Sequence, residues 1–348
     1  MKKSRIIYRF LIVAAVIALF AACKQDVIFY DIAQEVEYEA PIVEGNVLSM
    51  VPCNGFLFVQ NNNIYKKAWT AEKKPEARWR QLDVAPVSGK SVVMLASDSG
   101  YLYALVKGKA ADETGDVYTV SVSAAGELGS WSSNPVAEDV KWLFDNRVFA
   151  TDGTTSGRNA YYTASDNKVY KLAGSGSPAD VSSTATDVLG STKACICAAG
   201  SDGTTDYFSS NAVFAVLNVS GTTYLYTFDR ALDGSGKTLK YKASGATSWK
   251  DGGTTDSIMT VLTAYGNDKL LVGTMHGYET STVGSDGKPS SGETPANNAE
   301  SAFGTRYVTG IWHYGAEGTL YAAVVEAEHS QYNKLWGFYT SRKKWNYE

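Results

Sequence analysis

A chain of 348 residues, 44% of them hydrophobic, is long enough to bury a sizeable core as one large domain or two ordinary ones. Its 32 glycines and 22 tyrosines, with very few long helix-like stretches, point to an all-β chain rich in turns. The formal charge of −4 falls by four, to −8, once Lys2, Lys3, Arg5 and Arg9 of the first 23 residues are removed. No basic face is left to release counterions from a phosphate backbone, which argues against nucleic acid as a partner.

The chain opens with a basic segment, MKKSRIIYR, followed by an uninterrupted apolar run over Phe10–Ala22. That run is too short to span a bilayer comfortably and suits the apolar core of a signal peptide. It ends Leu19-Phe20-Ala21-Ala22-Cys23, small residues directly before a cysteine. This resembles the lipobox of bacterial lipoproteins, whose cysteine becomes the lipidated first residue after cleavage. Phe20 stands three before the cysteine where leucine is usual, with Leu19 one further back, and that looser form is similar to spirochaete lipoproteins. The resemblance implies a signal peptide over residues 1–22, lipidation at Cys23, and a lipidated tether over residues 23–40. Two or more acyl chains, at about 0.8 kcal/mol per buried CH₂, anchor a protein stably where one does not.

Downstream, one pattern recurs: an apolar run, a short turn, and a second apolar run, which reads as a β-hairpin. Copies begin at Val47, Ser91 and Asp139, at the Cys195–Cys197 region leading into NAVFAVL at Asn211, at Ser257, and at Tyr307. The second strands open at Gly55, Gly100, Asn146, Asn211, Asp268 and Gly318. Spacings of roughly 45–65 residues suit the blades of a β-propeller, which recur at roughly 40–50. Third strands are expected over Asn63–Trp69, Val117–Val122, Lys168–Leu172, Thr223–Phe228 and Lys334–Tyr339. Trp79, Trp131, Trp249 and Trp345 mark fourth strands, as core aromatics that fill the wedge between blades. Residues 174–192 and 284–298 are Gly/Ser/Pro-rich and read as long loops. The expected architecture over residues 41–348 is a β-propeller of six four-stranded blades, with seven as the alternative. An N-terminal strand within Val27–Val43 would close the ring against the last blade, because an open fan leaves exposed edges.

Chemistry is hard to find in this pattern. Cys195 and Cys197, two apart on a strand, face one side and do not bridge each other. With Cys53 they read as small buried packing residues, and C-x-C without a second cluster is a weak zinc signal. His276, His313 and His329 lie in no recognisable triad or H-E-x-x-H setting, and G-x-S-x-G is absent. His313, beside Trp312, reads as a structural histidine. The acids Asp98, Asp202, Asp268 and Glu317 sit in turns, where Asp ordinarily serves local geometry. The sialidase turn S-x-D-x-G-x-x-W is approached only by SDSGYLYAL at Ser97, which lacks the tryptophan. No metal, cofactor or catalytic residue is assigned.

What remains is a loop surface. If second-to-third-strand loops share a face with the connections between blades, that face carries Lys107–Asp116, Asp152–Arg158, Lys250–Asp256 and Glu326–Tyr332. The candidate binding residues are Lys107, Asp116, Asp152, Arg158, Lys250, Asp256, His329 and Tyr332. The expectation is an envelope lipoprotein, periplasmic or on the outer-membrane surface, held to the membrane by N-terminal acyl chains. It would bind a protein or glycan partner without catalysis. The alternative is a propeller enzyme acting on sugars or cell-wall material at the channel mouth.

Overall fold

The computed structural model describes residues 42–45, 47–68, 78–82, 85–98, 100–109, 112–145, 159–166, 168–183, 186–187, 195–199, 205–209, 214–232, 234–295, 306–314, 319–325, 333–339 and 344–348. The chain divides into two compact units, Met1–Ala40 and Pro41–Glu348, and every described residue belongs to the second. The all-β expectation holds: apart from one 3-10 turn at Asp229–Leu232, the regular elements described are strands.

The first meander is β1 (Met50–Cys53), β2 (Phe56–Asn61), β3 (Asn63–Ala68) and β4 (Arg80–Leu82), hydrogen-bonded in chain order. Cys53 pairs with Phe56 across Asn54 and Gly55, both at positive φ (44° and 79°). That is the two-residue turn whose twist matches the strands, and Asn-Gly is its preferred sequence.

The next sheet has seven strands: β5 (Ser91–Ser97), β6 (Tyr101–Lys107), β7 (Gly115–Ser121), β8 (Ala137–Asp145), β9 (Ala160–Ala164), β10 (Val169–Lys171) and β11 (Ala179–Asp180). It is two meanders joined at β8. Residues 137–140 of β8 pair with β7, and residues 140–145 pair with β9. Asp139, in the left-handed region at φ 53°, sits at this junction, where Asp is among the few tolerated residues. The sheet folds over there, because Leu143, Ala160, Tyr162 and Leu172 share a core with Met94, Ala96, Tyr103 and Leu105.

Then come β12 (Thr186–Asp187), β13 (Cys195–Ala199) and β14 (Thr205–Ser209), and the four-stranded β15 (Ala215–Val219), β16 (Thr222–Phe228), β17 (Thr238–Ala243) and β18 (Lys250–Thr254). They are followed by the three-stranded β19 (Met259–Tyr265), β20 (Lys269–Thr274) and β21 (Gly277–Thr282). The last sheet is β22 (Tyr307–Tyr314), β23 (Thr319–Val325), β24 (Lys334–Tyr339) and β25 (Lys344–Tyr347). The described strands thus form six sheets, of four, seven, three, four, three and four strands, and seven successive meanders.

Three expectations need correction. The third repeat's second strand, expected to open at Asn146, is Ala160–Ala164 as the partner of β8, and residues 146–158 lie outside the described residues. The Cys195 strand does not pair with the segment after Asn211: it pairs with Thr205–Ser209, and Ala215–Val219 opens a meander of its own. The Gly/Ser/Pro stretch from Gly284 is not all loop. Ser290 N–H donates to Thr282 at 2.8 Å, and Thr280 and Glu293 exchange backbone bonds, so residues 289–293 run along the edge of β21. On their other side, Gly253 N–H donates to Pro289 and Gly292 N–H to Thr254, which ties the same segment to β18. Gly253 has to be glycine: a Cβ there would collide with the Ser290 and Ser291 backbone.

Core clusters lie between consecutive meanders. Val51, Cys53, Phe58 and Ile64 of the first pack on Leu95, Leu102, Ala104 and Val106 of the second. Leu217, Tyr226 and Leu239 of the fifth pack on Leu262, Leu270 and Val272 of the sixth. Trp79, Trp131, Trp249 and Trp345 are buried or half-buried, as core aromatics should be.

A second interlock repeats between neighbours. An aromatic at or near the start of a second strand supports a positive-φ glycine in the turn that follows the next meander's third strand. Phe56 carries Gly126 (φ 72°), Tyr101 carries Gly174 (φ 58°) and Tyr224 carries Gly287 (φ 77°). In each case a Cβ on the glycine would enter the ring. Tyr103 accepts the Gly174 N–H at 2.6 Å, and Tyr226 donates to the Gly287 carbonyl at 3.1 Å. The Lys66 ammonium, 5.4 Å from the Phe56 ring centre, donates to the Gly126 carbonyl at 2.9 Å.

The first and last sheets also meet. Val43, Val47, Leu57, Val59 and Trp79 share one core with Trp312, Tyr321, Ala323 and Leu335. Ile42 and Val43 donate to the Glu348 carbonyl at 2.8 and 2.9 Å, Leu335 N–H reaches Val43 at 3.3 Å, and Gly45 N–H reaches Asn333 at 2.6 Å. The Glu348 carboxylate is buried against Lys67 at 2.5 Å and accepts Trp79 Nε1–H at 2.7 Å. Lys67 also lies 5.5 Å from the Tyr321 ring centre. Of the expected closing segment Val27–Val43, Ile42 and Val43 are at this seam, and residues 27–41 lie outside the described residues.

Candidate functional site

Strand direction sorts the connections onto two faces. First-to-second-strand turns lie on one face, called here the turn face. Second-to-third loops lie with the connections between meanders on the other, the loop face. The grouping expected from chain direction is visible as hydrogen bonds. Val92 N–H donates to Asn62 at 3.3 Å, and Ser165 N–H donates to Asp139 at 2.9 Å. Met259 N–H donates to Gly236 at 2.7 Å, Met275 to Ile258 at 2.9 Å, and Gly277 to Arg306 at 3.1 Å. Gly45 to Asn333 completes the pattern at the seam. Each joins a second-to-third loop to a neighbouring connection, so these loops are held by one another as well as by their strands.

Among the described residues, a sector with several ionisable groups surrounds Thr255–Ile258, between β18 and β19. Lys237 Nζ donates to the Asp256 carbonyl at 2.7 Å, and Thr255 Oγ1 donates to the Ser257 carbonyl at 2.7 Å. Asp256 N–H donates to Glu279 Oε1 at 3.1 Å, and Ser257 Oγ lies 2.9 Å from His276 Nδ1. Glu279 is buried, and its Oε2 has no hydrogen-bond partner. Burial pushes its carboxyl above the usual range, and the negative charge of Asp256 adds to the rise. Backbone N–H groups of Asp256 and Ser257 and the charge of Lys237 pull the other way. Nearby Asp229 ends below the usual range: burial pushes it up, but hydrogen bonds from Ser235, Thr238 and Gly236 outweigh that.

Ser257, His276 and Glu279 invite comparison with a nucleophile, base and orienting acid, and the geometry does not make one. Glu279 is spent on backbone amides, whereas a triad acid orients the imidazole. The arrangement secures a loop. Among the described residues, no group of three or more His, Cys, Asp or Glu side chains is placed to hold a metal.

The candidate binding residues fall in different places. Lys107 ends β6, and its ammonium donates to the Asp112 and Glu113 carbonyls at 2.6 and 3.3 Å, tying down its own loop. Burial lowers its pKa, and the charges of Asp112 and Glu113 oppose that. Asp116 lies in β7 and meets Lys90, from the connection before β5, at 3.4 Å on the loop face. Asp256 is on the same face. Lys250 is not: it opens the five-residue β18, which occupies most of the loop expected there, at the end opposite Asp256. Asp152, Arg158, His329, Tyr332 and the lipidation candidate Cys23 lie outside the described residues. The strands flanking Asp152 and Arg158 are the first and second of their meander, so that connection is not a second-to-third loop.

Sequence reasoning passed over Glu279, Lys237 and His276 as a set. The available signal was Glu279 itself, the one charge in GYETSTV, an otherwise uncharged strand. His313 keeps its structural reading, edge-to-face with Tyr265 at 4.7 Å. Cys53 is fully buried, and Cys195 and Cys197 do share a strand.

Comparisons with known proteins bear on fold and family. A prolyl endopeptidase structure aligns over 95% of this chain and 54% of its own, at 12% identity and a TM-score of 0.50. An ancestral GH74 enzyme aligns over 88% and 46%, also at 12% identity and a TM-score of 0.50. This chain therefore spans about half of either, and the likeness concerns fold alone. An uncharacterised lipoprotein of Treponema pallidum (strain Nichols) is 29% identical over 112 residues, 32% of this chain. The match covers 26% of that relative, about a quarter of its length. Residues 1–141 match the TP013X lipoprotein family. The likeness to spirochaete lipoproteins read from Leu19–Cys23 is thereby borne out, and this N-terminal part of the chain is that of a spirochaete-type, membrane-anchored lipoprotein.

Proposed function

We propose that this protein is an envelope lipoprotein, lipidated at Cys23, whose Pro41–Glu348 unit is a β-propeller that binds a protein or glycan partner through its loop face. Seven meanders, each packed on the next wherever side chains are described, favour seven blades over six. The contact of the first and last sheets at Val43, Lys67, Trp79 and Glu348 is the natural closure of such a ring. Propeller-like structural neighbours support the same reading.

The observation that carries the binding role is the set of loop-to-loop hydrogen bonds on one face. A surface built from loops yet fixed by mutual bonds presents polar groups at low ordering cost, which recognition requires. Among the described residues Leu48 is the one large hydrophobic side chain that stays exposed, so the contact would be polar, not a greasy patch. Solubilised wild-type lipoprotein should capture a partner that a K109E/K237E variant, altered at two exposed loop-face lysines, does not. Equal capture by both would refute the assignment of the face. Retention of Cys23→Ala in the detergent phase would refute the anchor.

A further inference from the structure

Glu279 stands where three elements meet. It projects from β21, its Oε1 takes the Asp256 amide, and its Oε2 lies against Gly292 of the outer segment 289–293. A Cβ at Gly292 would overlap Oε2, so the carboxyl lies between the Thr255–Ile258 connection and that segment, in contact with both. Oε2 is out of solvent and without a hydrogen-bond partner. A neutral carboxylic acid tolerates this position; a carboxylate there is a charge with one side unsatisfied.

The other charges nearby do not cure that. From the connection, Asp256 faces Glu279 with the same sign. From the loop before β17, Lys237 offers a positive charge, but its ammonium is engaged by the Asp256 carbonyl. From the β20–β21 turn, His276 is held to Ser257. On the outer segment, the Glu293 side chain is exposed, and its backbone is joined to Thr280 of β21 by backbone bonds and by the Thr280 hydroxyl at 3.3 Å. The paired strand presents Val272 opposite Glu279.

We propose that Glu279 is a proton-operated clamp on this sector of the loop face: closed when the carboxyl is neutral, loosened when it ionises. On ionisation the Glu279 O–H gives its proton to water, and the carboxylate then gains by drawing water in or by moving out. Either motion parts segment 289–293 from the Thr255–Ile258 connection. The clamp is read in the isolated protein, so it stands or falls independently of whether the loop face binds a partner.

Amide hydrogen exchange over residues 254–257 and 290–293 tests it, comparing wild type with Glu279→Gln at each pH so that intrinsic exchange cancels. Protection should agree within about twofold near pH 4 and be at least tenfold lower in wild type near pH 8. A difference that stays constant with pH, or none at pH 8, overturns the proposal. If Glu279→Gln does not fold, carbon-13 titration of the wild-type Glu279 carboxyl replaces it. A midpoint coinciding with the loss of protection upholds the clamp, and one well separated from it overturns it.

Discussion

The two faces of this molecule are built differently. On the turn face glycine supplies the conformation of the short reversals: Asn54-Gly55, Ser220-Gly221, and the turns at Gly126, Gly174 and Gly287, all at positive φ. Gly126, Gly174 and Gly287 rest on aromatic rings of the neighbouring meander, and Asn54 Nδ2–H donates to the Val122 carbonyl of the next one. On the loop face the connections range from the single residue Asn62 to longer loops, and backbone amides, carbonyls, lysines and carboxylates of adjacent meanders hold one another. Ring-on-glycine contacts mark the turn face, beside polar bonds such as that of Lys66 to the Gly126 carbonyl. The loop face carries the bonds that cross from one meander's loop to the next connection, and the buried carboxyls Asp229 and Glu279.

The largest effect is expected where both faces close together, at the seam. Glu348→Ala leaves the Lys67 ammonium buried without its carboxylate, which should cost about 3–5 kcal/mol. Urea unfolding measures it, and a Lys67→Met/Glu348→Leu double variant should recover most of the loss. On the turn face, Gly287→Ala should cost about 2–4 kcal/mol, because the Tyr224 ring blocks the methyl and φ is positive. Gly221→Ala, at a similar φ of 82° with nothing within 4 Å, should cost only about 1–2 kcal/mol. The gap between the two isolates the ring contact, and equal losses would refute it.

The loop face should instead respond to pH, in two directions. Asp229 is held below the usual carboxylate range, so its contribution is present above the unfolded-state pKa and fades as pH falls through the folded one. Asp229→Asn should therefore destabilise by about 1–2 kcal/mol at neutral pH and less in acid. Glu279 is raised, so its neutral form favours folding, and that stability is lost as pH rises through its folded pKa. Glu279→Gln should raise the melting temperature at pH 8 and leave it nearly unchanged near pH 4. The smallest effect is expected from Lys109→Glu alone, within about 0.5 kcal/mol by thermal unfolding, because its side chain is exposed.

Much of this plan is written locally. The hairpins at Asn54-Gly55, at Gly100 and at Gly266–Asp268 follow from alternating apolar residues and turn chemistry, and Trp79, Trp249 and Trp345 lie in or next to outer strands; Trp131 does not, because it sits in the connection six residues before β8. What escaped is set by partners distant in sequence. The corner at Asp139 depends on a left-handed residue that is not glycine, and the partner of β8 is Ala160–Ala164, further along the chain than the expected turn at Asn146. Residues 289–293 look like a loop because Gly, Ser and Pro weaken strand propensity; two flanking strand edges make them extended. Lys250–Thr254 was misjudged for the same reason, since its glycines serve close packing under Pro289 and Ser290. Glu279 is a lone charge whose burial depends on Gly292, thirteen residues on.

Lysine-directed cross-linking of the intact lipoprotein in whole cells, with the joined peptides identified by mass spectrometry, tests the difference between the faces most directly. Lys90, Lys109 and Lys237 are exposed on the loop face, and Lys269 and Lys288 are exposed on the turn face. A partner joined through the first three and not the last two is the predicted result. A partner joined only through Lys269 or Lys288 would contradict the account.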